Sequence, residues 1–140
     1  MATIIWSTAL ETGHRQIDLQ HQELVDLINE LTEAFDANCA DTVLLEILPR
    51  LASYVLFHFS TEETLMTQLP ANNEHSAIHR RQHDEFTTRV NALRAQIAAG
   101  ERPPAAPLAE FLKNWLSWHI MQTDRELVAL LNLHKLNTPH

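Results

Sequence analysis

Apolar residues recur at steps of three and four positions along four segments of the chain, and turn-forming residues separate these segments. This spacing is typical of amphipathic α-helices, whose apolar side chains share one face. Four such helices with short connections favour an all-α fold, an antiparallel up-down four-helix bundle in a single domain over residues 1–140. The predicted helices cover residues 18–36, 41–68, 72–99 and 107–121. An N-terminal arm (1–17) and a short C-terminal helical extension (124–134) complete the predicted fold.

Two residues modify the helical pattern. Pro49 lies in the third turn of the second predicted helix, where a proline removes a backbone hydrogen bond. We therefore expect a kink in that helix. Gly100 follows the third apolar stripe and is expected to end the third helix.

Histidine and carboxylate side chains occupy inward positions in all four apolar stripes. The seven residues are His21, His58, Glu62, His79, His83, His119 and Asp124. Any one of them could be a hydrogen-bonded core residue, but all seven together would have to satisfy one another. An unpaired buried polar group costs about 2–7 kcal/mol, and a buried charge costs more. A bound metal ion would supply the missing electrostatic partner, so the pattern predicts a buried metal site.

The spacing of these residues within the helices supports a shared site. His79 and His83 are four positions apart, so both side chains leave the same helical face. His58 and Glu62 have the same separation. A register with His75 and His79 as the pair is also conceivable. We prefer His79 and His83 because the apolar stripe continues from them.

His119 and Asp124 are five positions apart, which is about 140° on a regular α-helix. If both face the core, the helix must break or bulge between them. The apolar stripe shifts its phase after His119, which independently indicates such a break.

The donor set narrows the choice of metal. Five imidazoles and two carboxylates exceed the needs of one ion and suit two. Imidazole accommodates iron, zinc, copper or nickel, so ligand type alone does not identify the metal. The absence of thiolates from the set disfavours a finger-type structural zinc site and an iron–sulfur cluster.

Charge and composition exclude other classes of function. The net charge of -8 disfavours nucleic-acid binding, which needs a basic surface. Cys39 is the only cysteine, so no intramolecular disulfide can form, which fits a reducing compartment. The first residues lack a basic segment followed by an apolar run, and no stretch approaches the length needed to cross a bilayer. We therefore expect a cytoplasmic protein without membrane insertion.

Four sequence motifs resemble those of the hemerythrin family, specifically the single-domain bacteriohemerythrins. The resemblance extends from Trp6 to Leu131. Its motifs are TG and IDLQHQEL (within 12–24), HFSTEE (58–63), HRRQHDEF (79–86) and WLSWHIMQTD (115–124). Their order, with helix-length gaps between them, makes the resemblance specific.

The resemblance implies a non-haem site with two iron ions. One ion would be bound by His79, His83 and His119, and the other by His21 and His58. Glu62 and Asp124 would bridge the two ions together with an oxo or hydroxo group. Dioxygen would bind at an open position of the second ion. The walls of its pocket would be Phe59, Trp115, Leu116 and Ile120, for which ordinary core packing is an equal interpretation.

The resemblance also implies a non-enzymatic function, namely reversible dioxygen binding for storage, buffering or delivery. We expect a monomer, with an oxygen-consuming enzyme as a possible recipient. The alternatives are a di-iron oxidase, a peroxidase, a nitric oxide scavenger, or a dioxygen or redox sensor. Ferritin-like di-iron enzymes use four carboxylates and a paired Glu-x-x-His motif. Here the one such string, Glu11 to His14, lies outside the predicted helices, and His14 is expected at the surface or as an outer neighbour of the arm.

Overall fold

The computed structural model describes residues 4–71 and 73–137, which form four long helices and no strand. Helix α1 is Arg15–Asp36 and helix α3 is Glu74–Ala98. Helix α2 comprises Ala40–Thr42, the π-helical turn Val43–Ile47 and Leu48–Met66. Helix α4 comprises Ala105–His119, the π-helical turn Ile120–Asp124 and Arg125–Asn137. The predicted all-helical fold is confirmed.

Some predicted boundaries differ from the observed ones. Helix α1 starts three residues before the predicted position 18, and the predicted C-terminal extension is continuous with helix α4. The third helix ends at Ala98, and Gly100 follows it with a φ of 92°, the left-handed conformation that glycine adopts without strain. Asn72, the predicted start of that helix, and residues 1–3 of the predicted arm lie outside the described residues.

The start of helix α1 is held by side chains that pair with its free backbone N–H groups. His14 Nδ1 accepts a hydrogen bond from the backbone N–H of Ile17, so His14 is the N-cap of the helix. Asp18 accepts hydrogen bonds from the backbone N–H and the hydroxyl of Thr12, and from the N–H of Gly13. This network places the arm against the helix one turn before His21.

Helix α2 contains a π-turn, Val43–Ile47, directly before Pro49. The backbone N–H of Leu48 donates to the carbonyl of Val43, five residues earlier. Proline cannot donate to the fourth residue before it, and its ring crowds that carbonyl. A wider turn at this position accommodates the proline, so the irregularity expected at Pro49 takes the form of a π-turn.

Helix α2 is long and apolar enough to cross a membrane, with a mean hydropathy of 1.3 over its most apolar 18 residues. The sequence-based expectation that no stretch approaches this length was therefore wrong. Half of that stretch is buried inside the bundle, where Val55 and Phe59 belong to the core. The buried half of the helix accordingly serves the packing of the bundle, while Leu56 and Phe57 are exposed on its outer face.

Two apolar clusters fill the bundle. The large cluster draws on all four helices and includes Leu24, Val55, Phe86 and Leu112. The small cluster contains Ile17, Met66, Leu69, Leu127, Val128 and Leu131. On helix α1, His21 lies between Ile17 of the small cluster and Leu24 of the large one. The seven polar residues predicted to bind metal, called the polar layer below, therefore separate the two clusters.

Candidate metal centre

The polar layer brings together residues from all four helices. Its members are at most 2% exposed and comprise His21 on α1, His58 and Glu62 on α2, His79 and His83 on α3, and His119 and Asp124 on α4. Every residue that the sequence assigned to the metal site thus lies in one buried location.

The two residues contributed by helix α4 meet because of the π-turn Ile120–Asp124 between them. A π-turn contains one more residue than an α-turn, so residues five positions apart lie close to the same face. His119 Nε2 is 2.9 Å from Asp124 Oδ1. The break predicted between these residues is confirmed.

Ligand atoms of the polar layer form two overlapping groups, and the atoms within each group lie within 4.8 Å of one another. One group contains three histidines, His79, His83 and His119. The other contains two, His21 and His58. Glu62 and Asp124 belong to both groups. This partition matches the two-ion ligand sets that the family resemblance implies.

Short distances connect the imidazoles with the shared carboxylates. His21 Nε2 is 2.7 Å from Asp124 Oδ2, and His79 Nε2 is 3.1 Å from Asp124 Oδ1. His58 Nε2 is 3.0 Å from Glu62 Oε1. The Nε2 atoms therefore all point toward the carboxylates and leave the Nδ1 atoms on the outer side.

Two glutamines orient ligand histidines from the outer side. Gln20 Oε1 lies 2.7 Å from His58 Nδ1, while the Gln20 amide donates to Thr61. Gln82 Oε1 lies 3.1 Å from His119 Nδ1. Because an amide oxygen only accepts, both Nδ1 atoms must carry the proton, and in the neutral ring the Nε2 lone pair then faces the polar layer.

The polar layer fits metal ions better than it fits a hydrogen-bond network. Among the described residues, both carboxylate oxygens of Glu62 and Oδ1 of Asp124 are buried without a hydrogen-bond partner. Imidazole nitrogens nevertheless approach Glu62 Oε1 and Asp124 Oδ1 to about 3 Å, and His79 Nε2 lies 3.6 Å from Glu62 Oε2. His79 and His83 each place Nε2 3.2 Å from Nε2 of His119, and when the neutral rings carry their proton on Nδ1 this is a contact between two lone pairs. Cations between these atoms would satisfy them all.

Without an ion, protons must balance the buried carboxylates. Burial alone would lower the pKa of His58 and His119, but the nearby carboxylates overcome it and raise the pKa of His58 to about 10 and that of His119 to about 9. Burial dominates at His83 and lowers its pKa to about 4. Burial also opposes ionisation of Glu62 and Asp124, yet the histidines hold both carboxyl pKa values well below their usual range. Metal binding must therefore displace protons.

Aromatic side chains pack against the three-histidine group. Phe59 stacks on His83 with ring centroids 3.7 Å apart, and Trp115 stacks on His119 at 4.6 Å. Leu116 and Ile120 are buried, and Leu116 belongs to the large cluster. The structure thus places apolar walls beside the polar layer. The assignment of these four residues to a dioxygen pocket stays a prediction.

Several neighbours of the polar layer were not predicted from the sequence. Gln20 and Gln82 each directly precede a ligand candidate, but nothing in their type or spacing distinguishes them from surface glutamines. His75 does not take the alternative ligand role, because its Nε2 contacts Nδ1 of His79 on the outer side. Glu63, whose Oε2 is 3.9 Å from His83 Nδ1, is outside hydrogen-bond distance.

Comparisons with known proteins show the family to which the chain belongs. Residues 12–131 match the family model described as the hemerythrin HHE cation-binding domain. A bacteriohemerythrin of Pseudomonas aeruginosa is 36% identical over 124 residues, which are 89% of this chain and 78% of that protein. A hemerythrin-like protein of Naegleria gruberi is 30% identical over 94% of this chain and its own full length.

Solved structures agree with the sequence relatives. A wild-type hemerythrin crystal structure superimposes with a TM-score of 0.81 at 27% identity, covering 93% of this chain and 98% of that chain. A mutant form of hemerythrin gives a TM-score of 0.82 at 26% identity, covering 94% of this chain and 98% of that chain. Family model, relatives, fold and the composition of the buried polar layer lead to one conclusion: the chain belongs to the hemerythrin family.

Proposed function

We propose that the chain holds two iron ions in the polar layer and binds dioxygen reversibly, as a store, buffer or carrier. The observation that supports this most directly is the convergence of five imidazole Nε2 atoms on two shared, buried carboxylates. Such a donor set suits two borderline cations of the first transition row. Membership of the hemerythrin family favours iron among them.

The two groups of ligand atoms give the proposed roles. His79, His83 and His119 would hold one iron, His21 and His58 the other, and Glu62 and Asp124 would bridge them. The two-histidine group has one protein ligand fewer, so an external ligand would have room there. When bound, the iron pair supplies the electrons for reversible dioxygen binding; the protein supplies the shape of the site and keeps it dry.

The surroundings of the site favour a carrier over a catalyst. The polar layer has two carboxylates, whereas ferritin-like di-iron enzymes use four. Phe59 and Trp115 cover imidazole faces, and Leu116 and Ile120 are buried beside them. Apolar walls limit access of water and protons, which would otherwise promote irreversible oxidation. We propose that the protein acts in the cytoplasm as a monomer and supplies dioxygen to an oxygen-consuming enzyme.

Metal content and optical spectra of the anaerobically reduced protein test the proposal. We expect about two irons per chain and a visible band that forms in air and disappears under argon over repeated cycles. Glu62→Gln, which removes a shared ligand, should lose both iron and the band. His134→Ala, a substitution at the exposed carboxyl-terminal end, is the matched control and should behave as the wild type.

Three outcomes would contradict the carrier hypothesis. Iron that oxidises at once in air, with no band that reverses under argon, would favour an enzyme or a redox sensor. A chain that binds no iron after anaerobic reconstitution would exclude the iron carrier and also an iron-dependent enzyme or sensor. Turnover of peroxide or nitric oxide at a rate faster than the loss of the reversible band would likewise favour an enzyme.

A further inference from the structure

A buried histidine outside the polar layer connects it to the protein surface. His75 lies one turn before His79 on helix α3 and is 7% exposed. Its Nε2 is 2.9 Å from His79 Nδ1, and its Nδ1 is 2.7 Å from Glu126 Oε1. The Glu126 side chain is 63% exposed, so the chain of contacts ends in water.

The direction of these hydrogen bonds follows from the ligand role of His79. If His79 binds a metal ion through Nε2, its Nδ1 carries the ring proton and must donate. His75 Nε2 must then accept, which leaves the proton of neutral His75 on Nδ1. That N–H donates to the Glu126 carboxylate. One arrangement of protons therefore satisfies all three side chains.

This connection distinguishes His79 from the other ligand candidates. The outer partners of His58 and His119 are neutral amides, Gln20 and Gln82. Nδ1 of His21 and Nδ1 of His83 are buried without a hydrogen-bond partner among the described residues. His79 is the ligand candidate whose outer hydrogen bond leads, through a second imidazole, to a carboxylate.

We infer that His75 and Glu126 are positioning residues that hold His79 in its metal-binding tautomer and increase its electron donation to the ion. This inference rests on the proposed function, because it requires an ion at the polar layer. A histidine that donates to a carboxylate-linked acceptor is a stronger ligand and favours the more highly charged state of the metal. Glu126 lies two residues after Asp124, so the same contact ties the second half of helix α4 to helix α3.

Iron retention tests the positioning role. We expect His75→Ala to lose iron to an external chelator about 10–100 times faster than the wild type. His75→Gln should restore most of the retention, because the Gln amide oxygen can take the place of Nε2 as the acceptor for His79. Equal impairment of the Ala and Gln variants would show that His75 acts by packing alone and would overturn the inference.

The reduction potential of the iron pair tests the electronic role, and it would not respond to a packing defect at the surface. Glu126→Gln keeps an acceptor but removes the charge, so we expect a higher potential with unchanged helix content. Glu110→Gln is the matched control, an exposed Glu on the same helix that lies before the π-turn. A Glu126→Gln potential equal to that of the control would overturn the electronic part.

The wild-type protein separates this inference from the proposed function. If the wild type binds iron but shows no reversible band, the carrier function fails, and the retention and potential measurements still decide the role of His75. If the wild type binds no metal, both fail together. If His75→Ala does not fold, Glu126→Gln remains decisive, because Glu126 is largely exposed and its substitution leaves the core intact.

Discussion

At the scale of single residues, the aromatic and aliphatic neighbours of the ligand candidates determine how dry the site is. Trp115 lies parallel to the His119 ring, with an interplanar angle of 12°, and Leu116 is 1% exposed. Trp115 also contacts Phe86, which links the site to the large cluster. These side chains belong to the core of the bundle, and we expect them also to exclude water from the site.

Truncation of an apolar side chain beside the site should speed oxidation of the iron-loaded protein. We expect Leu116→Ala to increase the autoxidation rate several-fold, because a cavity beside His119 admits water and protons. The decay of the visible band in air measures this rate. Leu112→Ala creates a similar cavity one turn earlier in the large cluster and serves as the control. Equal rates in the two variants would remove Leu116 from the dioxygen pocket.

At the scale of the elements, helix starts and irregular turns place the ligands. The Asp18 carboxylate holds the arm through two bonds from Thr12, of 2.8 and 2.7 Å, and one from Gly13 of 3.1 Å. The negative charge also lies in the first turn of helix α1, where the helix dipole favours it. The position of His21, one turn later, thus depends on a surface network.

Removing this charge should destabilise the fold without removing a ligand. We expect Asp18→Asn to lower the free energy of unfolding by about 1–2 kcal/mol, as for other losses of charged capping bonds. Urea unfolding of the metal-free protein measures the change. Asp26→Asn makes the same charge change at an exposed position of helix α1 and should shift stability by less than about 0.5 kcal/mol. A shift as large in Asp26→Asn would assign the effect to net charge.

Most of the elements and all seven members of the polar layer could be predicted from the sequence, because apolar periodicity reports which face of a helix is buried. The break between His119 and Asp124 was predictable for the same reason, since both sides of it carry an apolar stripe. The π-turn before Pro49 was less accessible. Its residues, Val43 and Leu44 among them, are mostly apolar, so the alternation of polar and apolar positions does not show which of them face the core.

Contacts between distant segments could not be predicted from one sequence. His75 and Glu126 are 51 positions apart, and only the packing of helix α3 against helix α4 brings them to 2.7 Å. Gln82 joins His119 and Thr123 in the same way, across two helices. Periodicity indicates that a side chain faces inward but does not identify the partner across the interface.

At the scale of the whole molecule, the polar layer makes stability depend on pH in a way that metal should abolish. In the metal-free protein, the raised pKa values of His58 and His119 contribute stability that is complete below about pH 6.5 and lost as the pH rises through 9 to 10. The lowered pKa of His83 acts in the opposite sense and costs stability as the pH falls from about 6.5 toward 4.

We therefore expect the metal-free protein to be most stable near pH 6–7 and to lose stability toward pH 10. Iron replaces the displaced protons, so the stability of the iron-loaded protein should change little with pH over the same alkaline range. Urea unfolding at pH 6.5 and 9.5, with and without a chelator, measures both curves. The same alkaline loss in the loaded protein would show that its origin lies outside the polar layer.

The division of the core by the polar layer has a consequence for how iron reaches the site. Within the part of the chain that the structure describes, the small cluster has six buried apolar residues, and the large cluster has three times as many. The free energy needed to open part of a protein rises with the apolar area exposed. We therefore expect the end of the bundle that holds Leu127 and Leu131 to open by local unfolding before the other end does. We also expect an incoming ion to reach the polar layer through this end, by transient opening of the last turns of helix α4.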